Sequence, residues 1–160
     1  LAVLYNELKR IVVLDCDVDA PNLGLMLGLR ESDFDWTELK LVEKASIDED
    51  KCIHCGACER TCNFGAVMKG PVINPFLCEG CAACALTCPV GAIEMKSEVN
   101  GWVGEAVTKY GFPIITGRLK MGSSGSGKIV DLIKERVEGD YDIVLQDAPA
   151  GIGCPVIRLC

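Results

Sequence analysis

The sequence predicts an α/β fold class: a parallel sheet with helices on its faces, interrupted by an inserted α+β segment. Three observations predict it. Two apolar, β-branched runs, IVVL at 11–14 and YDIVL at 141–145, read as strands buried on both faces, and each leads into an aspartate. An amphipathic stretch at 128–137 precedes the second run, so strand and helix alternate. Between these flanks, residues 46–98 carry two tight cysteine runs and no such alternation.

Taken in order, LAVLYNELKR at 1–10 reads as the end of an amphipathic helix with no cap before it. The strand at 11–14 follows, then a loop that turns into a short helix near Leu23. Residues 31–45 are mixed and polar and are expected to form a linker. Residues 101–110 form a poorly patterned return segment. Residues 112–119 read as a strand broken by Gly117. The helix at 128–137 and the strand at 141–145 come next, and the Gly/Pro-rich APAGIGCP closes the pattern. The expected layout is therefore residues 1–45 and 99–160 as one α/β domain, with 46–98 inserted at a surface loop, where insertions are best tolerated. The missing initial Met, the uncapped first helix and the abrupt end at CPVIRLC make the chain read as a fragment at both ends.

Composition narrows the classes. With 49% hydrophobic residues among 160, a buried core is within reach. A formal net charge of −7 argues against nucleic acid or an anionic membrane as partner, because both require a basic patch. No apolar run is long enough to span a bilayer. The first ten residues lack a basic start and a small-residue cleavage site, so they are not an export signal. Eight of the eleven cysteines fall in the two runs, which favours metal ligation in a reducing cytoplasm over disulfides.

The first run is Cys52, Cys55, Cys58 and Cys62, spaced C-x2-C-x2-C-x3-C. Cys78, Cys81, Cys84 and Cys88 repeat that spacing, followed by Pro89. FGAV after the first run answers VGAI after the second. This spacing holds two [4Fe–4S] clusters, and the fourth cysteine of each run ligates the other cluster. Cys52, Cys55, Cys58 and Cys88 are thus assigned to one cluster, and Cys62, Cys78, Cys81 and Cys84 to the other. Two intervening residues let the chain wrap a cube corner, and the three-residue gap starts a short helix that carries the fourth thiolate away. The small Gly56, Ala57, Ala82 and Ala83 let backbone N–H groups approach the sulfides. Zinc sites favour two separated C-x-x-C pairs, which these runs are not. Asn63 stands where the first run would carry Pro, and His54 reads as an exposed loop residue because four thiolates are already present. The middle third resembles the two-cluster bacterial ferredoxins. That resemblance implies single-electron transfer at low potential, where oxygen is scarce.

The flanks resemble the MinD/Mrp group of P-loop ATPases, and within it the members with an inserted ferredoxin domain. The residues that carry the likeness are VVLDCDVDAPNLGLMLG at 12–28 and IVLQDAPAGIGCP at 143–155. The resemblance implies a partial P-loop NTPase-like domain with ATP and Mg²⁺ as ligands. It also implies that Asp17 orients the attacking water, that Asp15 sits near the Mg²⁺, that Asp147 holds Mg²⁺ through water and that Gly151 senses the γ-phosphate. The residues agree in part, since ligands of open α/β sheets bind beyond the carboxyl ends of strands. Asp19, before Pro21 and Asn22, reads as a turn residue instead. The family's Gly-Lys-Thr phosphate loop is expected upstream of Leu1. GSSGSGKI at 122–129 fits G-x-x-x-x-G-K but ends in Ile129 where Mg²⁺ needs a hydroxyl, so it reads as a loop-to-helix junction. Cys16, Cys154 and Cys160 read as small buried hydrophobes.

The function expected from these readings is an iron–sulfur protein that couples ATP binding or hydrolysis to electron transfer or cluster handling. Its partner would be a redox protein or an iron–sulfur acceptor, and the class implies a nucleotide-bound homodimer. The alternatives are a non-enzymatic electron carrier on an α/β scaffold, or a positioning ATPase like MinD.

Overall fold

A computed structural model describes residues 1–158, with residues 154 and 155 described by their backbone alone. In chain order the elements are α1 (Ala2–Asn6), β1 (Ile11–Asp15), α2 (Leu23–Met26), β2 (Asp35–Leu39), β3 (Val42–Ile47) and α3 (Ala57–Thr61). There follow β4 (Val67–Met68), β5 (Val72–Ile73), α4 (Ala83–Leu86), β6 (Ile93–Glu98) and β7 (Gly101–Val107). The last are β8 (Pro113–Leu119), α5 (Ser126–Glu135), β9 (Ile143–Asp147) and α6 (Cys154–Ile157). The chain divides into two compact units, Leu1–Leu39 with Asn100–Cys160, and Lys40–Val99. Among the described residues no helix is long and apolar enough to cross a membrane.

The first unit is built on a five-stranded sheet ordered β2-β7-β8-β1-β9. β1 runs parallel to both β8 and β9, as its apolar run IVVL predicts, and every one of its residues is buried. The sheet is nevertheless mixed, because β7 is antiparallel to β2 and to β8. The expectation of an all-parallel sheet fails for a simple reason: residues 108–112 are too short a link to cross over, and only antiparallel neighbours can be joined so. That turn is closed by the N–H of Thr108 donating to the carbonyl of Phe112 at 2.9 Å and by Gly111 at φ 87°.

Four expectations for this unit are corrected. The run at 141–145 is not buried on both faces, because β9 pairs with β1 at the edge of the described sheet and Val144, Gln146 and Asp147 are exposed. The return segment at 101–110 contains a seven-residue strand, β7. The stretch read as a polar linker contains a 3-10 turn at Glu31–Asp33, the edge strand β2 and the start of β3. Gly117 does not break β8, which runs through it. A Cβ at Gly117 would lie 2.6 Å from Ile129, 2.7 Å from Ile133 and 2.9 Å from Val18, so glycine lets α5 lie directly on the strand. Ile129, Val130 and Ile133 of α5 are fully buried there. A cluster of Ile11, Val13 and Phe112 packs with Leu23, Leu27 and Leu145.

The second unit is closed by an antiparallel pair, β3 with β6, from Val42 opposite Glu98 to Ile47 opposite Ile93. A small pair, β4 with β5, lies between the two cysteine runs. Its core is small and half sulfur: Ala45, Ala66, Cys78, Cys84 and Ile93, with Cys58, Cys62 and Cys88 packed against it.

Candidate functional site

The two cysteine runs fold as conformational repeats. In the first, His54 (φ 54°) and Gly56 (φ 69°) both adopt the left-handed conformation, and Gly56 opens α3. In the second, Gly80 (φ 68°) and Ala82 (φ 59°) do the same, and Ala82 opens α4. Such alternation turns successive amides toward the inside of the loop and makes a nest for an anionic group. After each helix the chain turns on a glycine, Gly65 or Gly91, whose N–H donates to the carbonyl of the fourth cysteine at 3.3 Å in both copies. The first copy makes this turn with Asn63 in place of Pro.

The next amide in each copy donates to sulfur. The N–H of Ala66 lies 3.3 Å from the Sγ of Cys62, and that of Ala92 lies 3.2 Å from the Sγ of Cys88. These donors favour thiolate. At Cys88 the N–H groups of Ala92 and Val90 hold the thiol below the ordinary cysteine value. At Cys62 burial pushes upward, but the N–H groups of Ala66, Phe64, Val67 and Gly65 together outweigh it. Burial pushes Cys84 the other way, above the ordinary value.

The structure gathers the eight thiols around two cavities. One, of about 120 Å³, is lined by Cys52, Cys55 and Cys58 of the first run and by Cys88 of the second, with Ile47, Val67 and Ile93 in its wall. The other is lined by Cys78, Cys81 and Cys84 with Cys62, and by Ala45 and Phe64. All eight are free thiols. Among the described residues no three His, Cys, Asp or Glu side chains converge tightly enough to share one ion. Four thiols standing around a cavity, with amides aimed at sulfur, fit a group that spreads its ligands over several irons.

In the first unit the carboxyl end of the sheet collects the predicted aspartates. Asp15 and Asp147 are register partners at the ends of β1 and β9, and the N–H of Cys16 donates to the carbonyl of Asp147 at 2.9 Å. The Asp15 side chain is buried and accepts N–H groups from Leu23 at 3.0 Å and Asp17 at 3.3 Å. Its pKa is pushed up to about 6, chiefly by burial, against those two donors and with Asp147 and Asp17 adding like charge. Asp17 is half-buried and accepts the N–H of Ala20, and Asp147 is exposed. Gly151 lies in the exposed loop after β9 at φ 108°. Cys16 is fully buried and its thiol is pushed up to about 12, chiefly by burial. The Cys154 side chain and Cys160 lie outside the described residues. The 122–129 stretch joins β8 to α5, and the side-chain amide of the buried Asn100 donates to the carbonyl of Ser124 at 3.1 Å.

Two features were missed by sequence reasoning. Lys44 is buried within β3, and its ammonium donates to the carbonyl of Cys78. Ala82 holds a conformation that glycine normally supplies. No local pattern signals either one.

The β3–β6 framework with two crossed four-cysteine cavities defines a ferredoxin-like iron–sulfur domain. Residues 44–67 and residues 71–94 each match a 4Fe-4S binding domain family. The whole chain is similar to an uncharacterized protein of Methanocaldococcus jannaschii, 43% identical over 158 residues. That alignment covers 98% of this chain, and the chain spans about half the length of this curated relative, 55%.

Proposed function

We propose that the chain works as an electron-transfer protein with two [4Fe–4S] clusters held crosswise. Cys52, Cys55, Cys58 and Cys88 hold one, and Cys62, Cys78, Cys81 and Cys84 hold the other. The observation that supports this reading is the lining of the two cavities, each with three thiols of one run and the fourth of the other. When bound, such clusters supply one-electron chemistry. The protein's own part is to present thiolates, aim the amides of Ala66 and Ala92 at sulfur, and keep Cys78 and Cys84 from water while Cys55 and Cys81 face outward. The exposed edge is where a redox partner or an iron–sulfur acceptor would dock, in a cytoplasmic setting that keeps thiols reduced.

Anaerobic reconstitution should give about eight irons and eight sulfides per chain. Cys62→Ser and Cys78→Ser should perturb the same electron-resonance signal of the reduced protein, and Cys88→Ser should perturb the signal that Cys52→Ser does. If Cys62→Ser and Cys52→Ser remove one signal together, the crosswise assignment is wrong.

A second reading concerns the first unit, as part of a nucleotide-binding host whose ATP turnover is coupled to the clusters. Its support is the meeting of Asp15, Asp17 and Asp147 at one end of parallel strands, where open α/β sheets bind ligands. In this reading Asp17 orients water, Asp147 and Asp15 serve Mg²⁺, Gly151 frees the backbone near the terminal phosphate, and two copies pair around nucleotide.

A further inference from the structure

We propose that Lys44 sets the order in which the two clusters are reduced, by placing a buried positive charge against the one held by Cys62, Cys78, Cys81 and Cys84. This inference rests on the crosswise reading above. Lys44 is 7% exposed, and its ammonium donates to the carbonyl oxygen of Cys78. Among the described residues it forms no ion pair, so no carboxylate lies in contact with its ammonium. It is also held in place. The loop that carries Cys78 lies against β3 so closely that a Cβ on Gly80 would stand 2.2 Å from the carbonyl oxygen of Glu43. Ala45, the next residue, lines the second cavity.

The first cavity has no equivalent. Gly70 precedes Cys78 by as many residues as Lys44 precedes Cys52, and Gly70 lines the first cavity with no charge. Arg60 does donate to the carbonyl of Cys55 at 3.3 Å, but that contact is exposed. Each cavity wall also carries one exposed glutamate, Glu59 or Glu79, so the acids balance. Burial therefore separates the two sites. A charge in an effective dielectric of about 20 acts roughly four times as strongly as one in water at the same distance, and it escapes salt screening. Reduction adds one electron and one negative charge, so the site beside Lys44 takes the electron more readily. The donor is oxidised by one electron, and no bond is made or broken at Lys44.

The test is a redox titration of the anaerobically reconstituted chain with dithionite, followed by electron resonance, with iron and sulfide counted first. In the unmodified protein, the signal that Cys81→Ser perturbs should appear at the higher potential, before the one that Cys55→Ser perturbs. Lys44→Gln should make that first signal harder to produce by about tenfold in the reduction equilibrium, about 59 mV for one electron. The other signal should stay in place, and Lys44→Arg should keep the original order. The proposal is overturned if the Cys81-marked signal appears second or together with the other, or if Lys44→Gln moves both signals equally or neither. Should Lys44→Gln lose a cluster, the order in the unmodified protein still decides. A count well short of two cubes, or Cys62 and Cys81 variants that perturb different signals, would instead defeat the crosswise reading itself.

Discussion

Asp15 is a carboxylate that folding places where charge is unwelcome. It is 1% exposed, at the end of the apolar run that forms β1, and its two N–H donors do not make up for the lost water. With its folded pKa raised from 3.8 to about 6, the folded protein holds the proton more tightly than the unfolded one. The stabilisation is therefore complete below the unfolded value and is lost as pH rises through about 6, and it amounts to about 3 kcal/mol. Asp33, Asp48 and Asp142 are held below the ordinary carboxylate range, the first and last chiefly by backbone N–H groups and Asp48 by Lys51. Their contributions disappear only at lower pH, so the window between roughly pH 5 and pH 7.5 belongs to Asp15. Both tryptophans, Trp36 and Trp102, lie in the same unit as Asp15 and report its unfolding. Denaturation followed by their fluorescence should show a higher midpoint at pH 5 than at pH 7.5. Asp15→Asn, neutral throughout, should flatten this dependence. An unchanged slope in that variant would refute burial as the cause.

At the scale of elements, the two cysteine loops show why a repeat need not repeat its residues. Both loops require two left-handed residues. At the first such position the copies carry His54 and Gly80. His54 is exposed, whereas any Cβ at Gly80 would strike the backbone of β3. At the second position they carry Gly56 and Ala82, and Ala82 bears a conformational penalty of roughly 1–2 kcal/mol that glycine avoids. Gly80→Ala should destabilise the iron–sulfur unit by about 3 kcal/mol or more, since steric overlap adds to strain. Ala82→Gly should be neutral or stabilising by up to about 1 kcal/mol, because the gain in the loop exceeds the added freedom of the unfolded chain. Thermal loss of the cluster absorbance checks both, and equal effects of one sign would contradict the geometry. β2 teaches the complementary lesson. Its DWTEL sequence looks like linker because most of it faces water. What holds it is Trp36, laid over Gly104 of β7, and Arg118, whose guanidinium lies 5.0 Å from the Trp36 ring and 5.1 Å from the Trp102 ring while pairing with Glu31 at 2.7 Å.

For the whole molecule, the sheet unit closes on itself around the excursion of residues 40–99. Leu39 and Gly101 are register partners, and the N–H of Asn100 donates to the carbonyl of Leu39 at 2.9 Å, so the chain leaves and returns at one point of the sheet edge. An element inserted there leaves the host ladder intact. The nucleotide reading is tested at this scale, on the full gene product. Asp17→Ala should lower ATP turnover by at least about 100-fold and leave nucleotide affinity nearly unchanged, as the loss of a water-orienting group does. Asp147→Ala should weaken Mg²⁺-dependent binding, and Lys128→Ala should change little. Tight Mg²⁺-ATP binding by residues 1–160 that vanishes with Lys128→Ala would move the phosphate cradle to 122–129.

The iron–sulfur runs were legible residue by residue, because metal ligation by a short loop imposes a spacing that few other functions share. β1 and α5 were legible too, since burial of a whole strand or of one helix face leaves an apolar run or a period in the residues themselves. The apolar run at 143–145 located β9 but not its burial, because β9 lies at the sheet edge with Val144, Gln146 and Asp147 exposed. β2, β7 and the continuity of β8 through Gly117 were not. An edge strand keeps polar residues, and a glycine that admits a helix looks the same in sequence as one that breaks a strand. The burial of Lys44 against Cys78 was decided by tertiary structure alone. They lie 34 positions apart with no local signal of the contact, and it exists only because the second cysteine loop folds back onto β3.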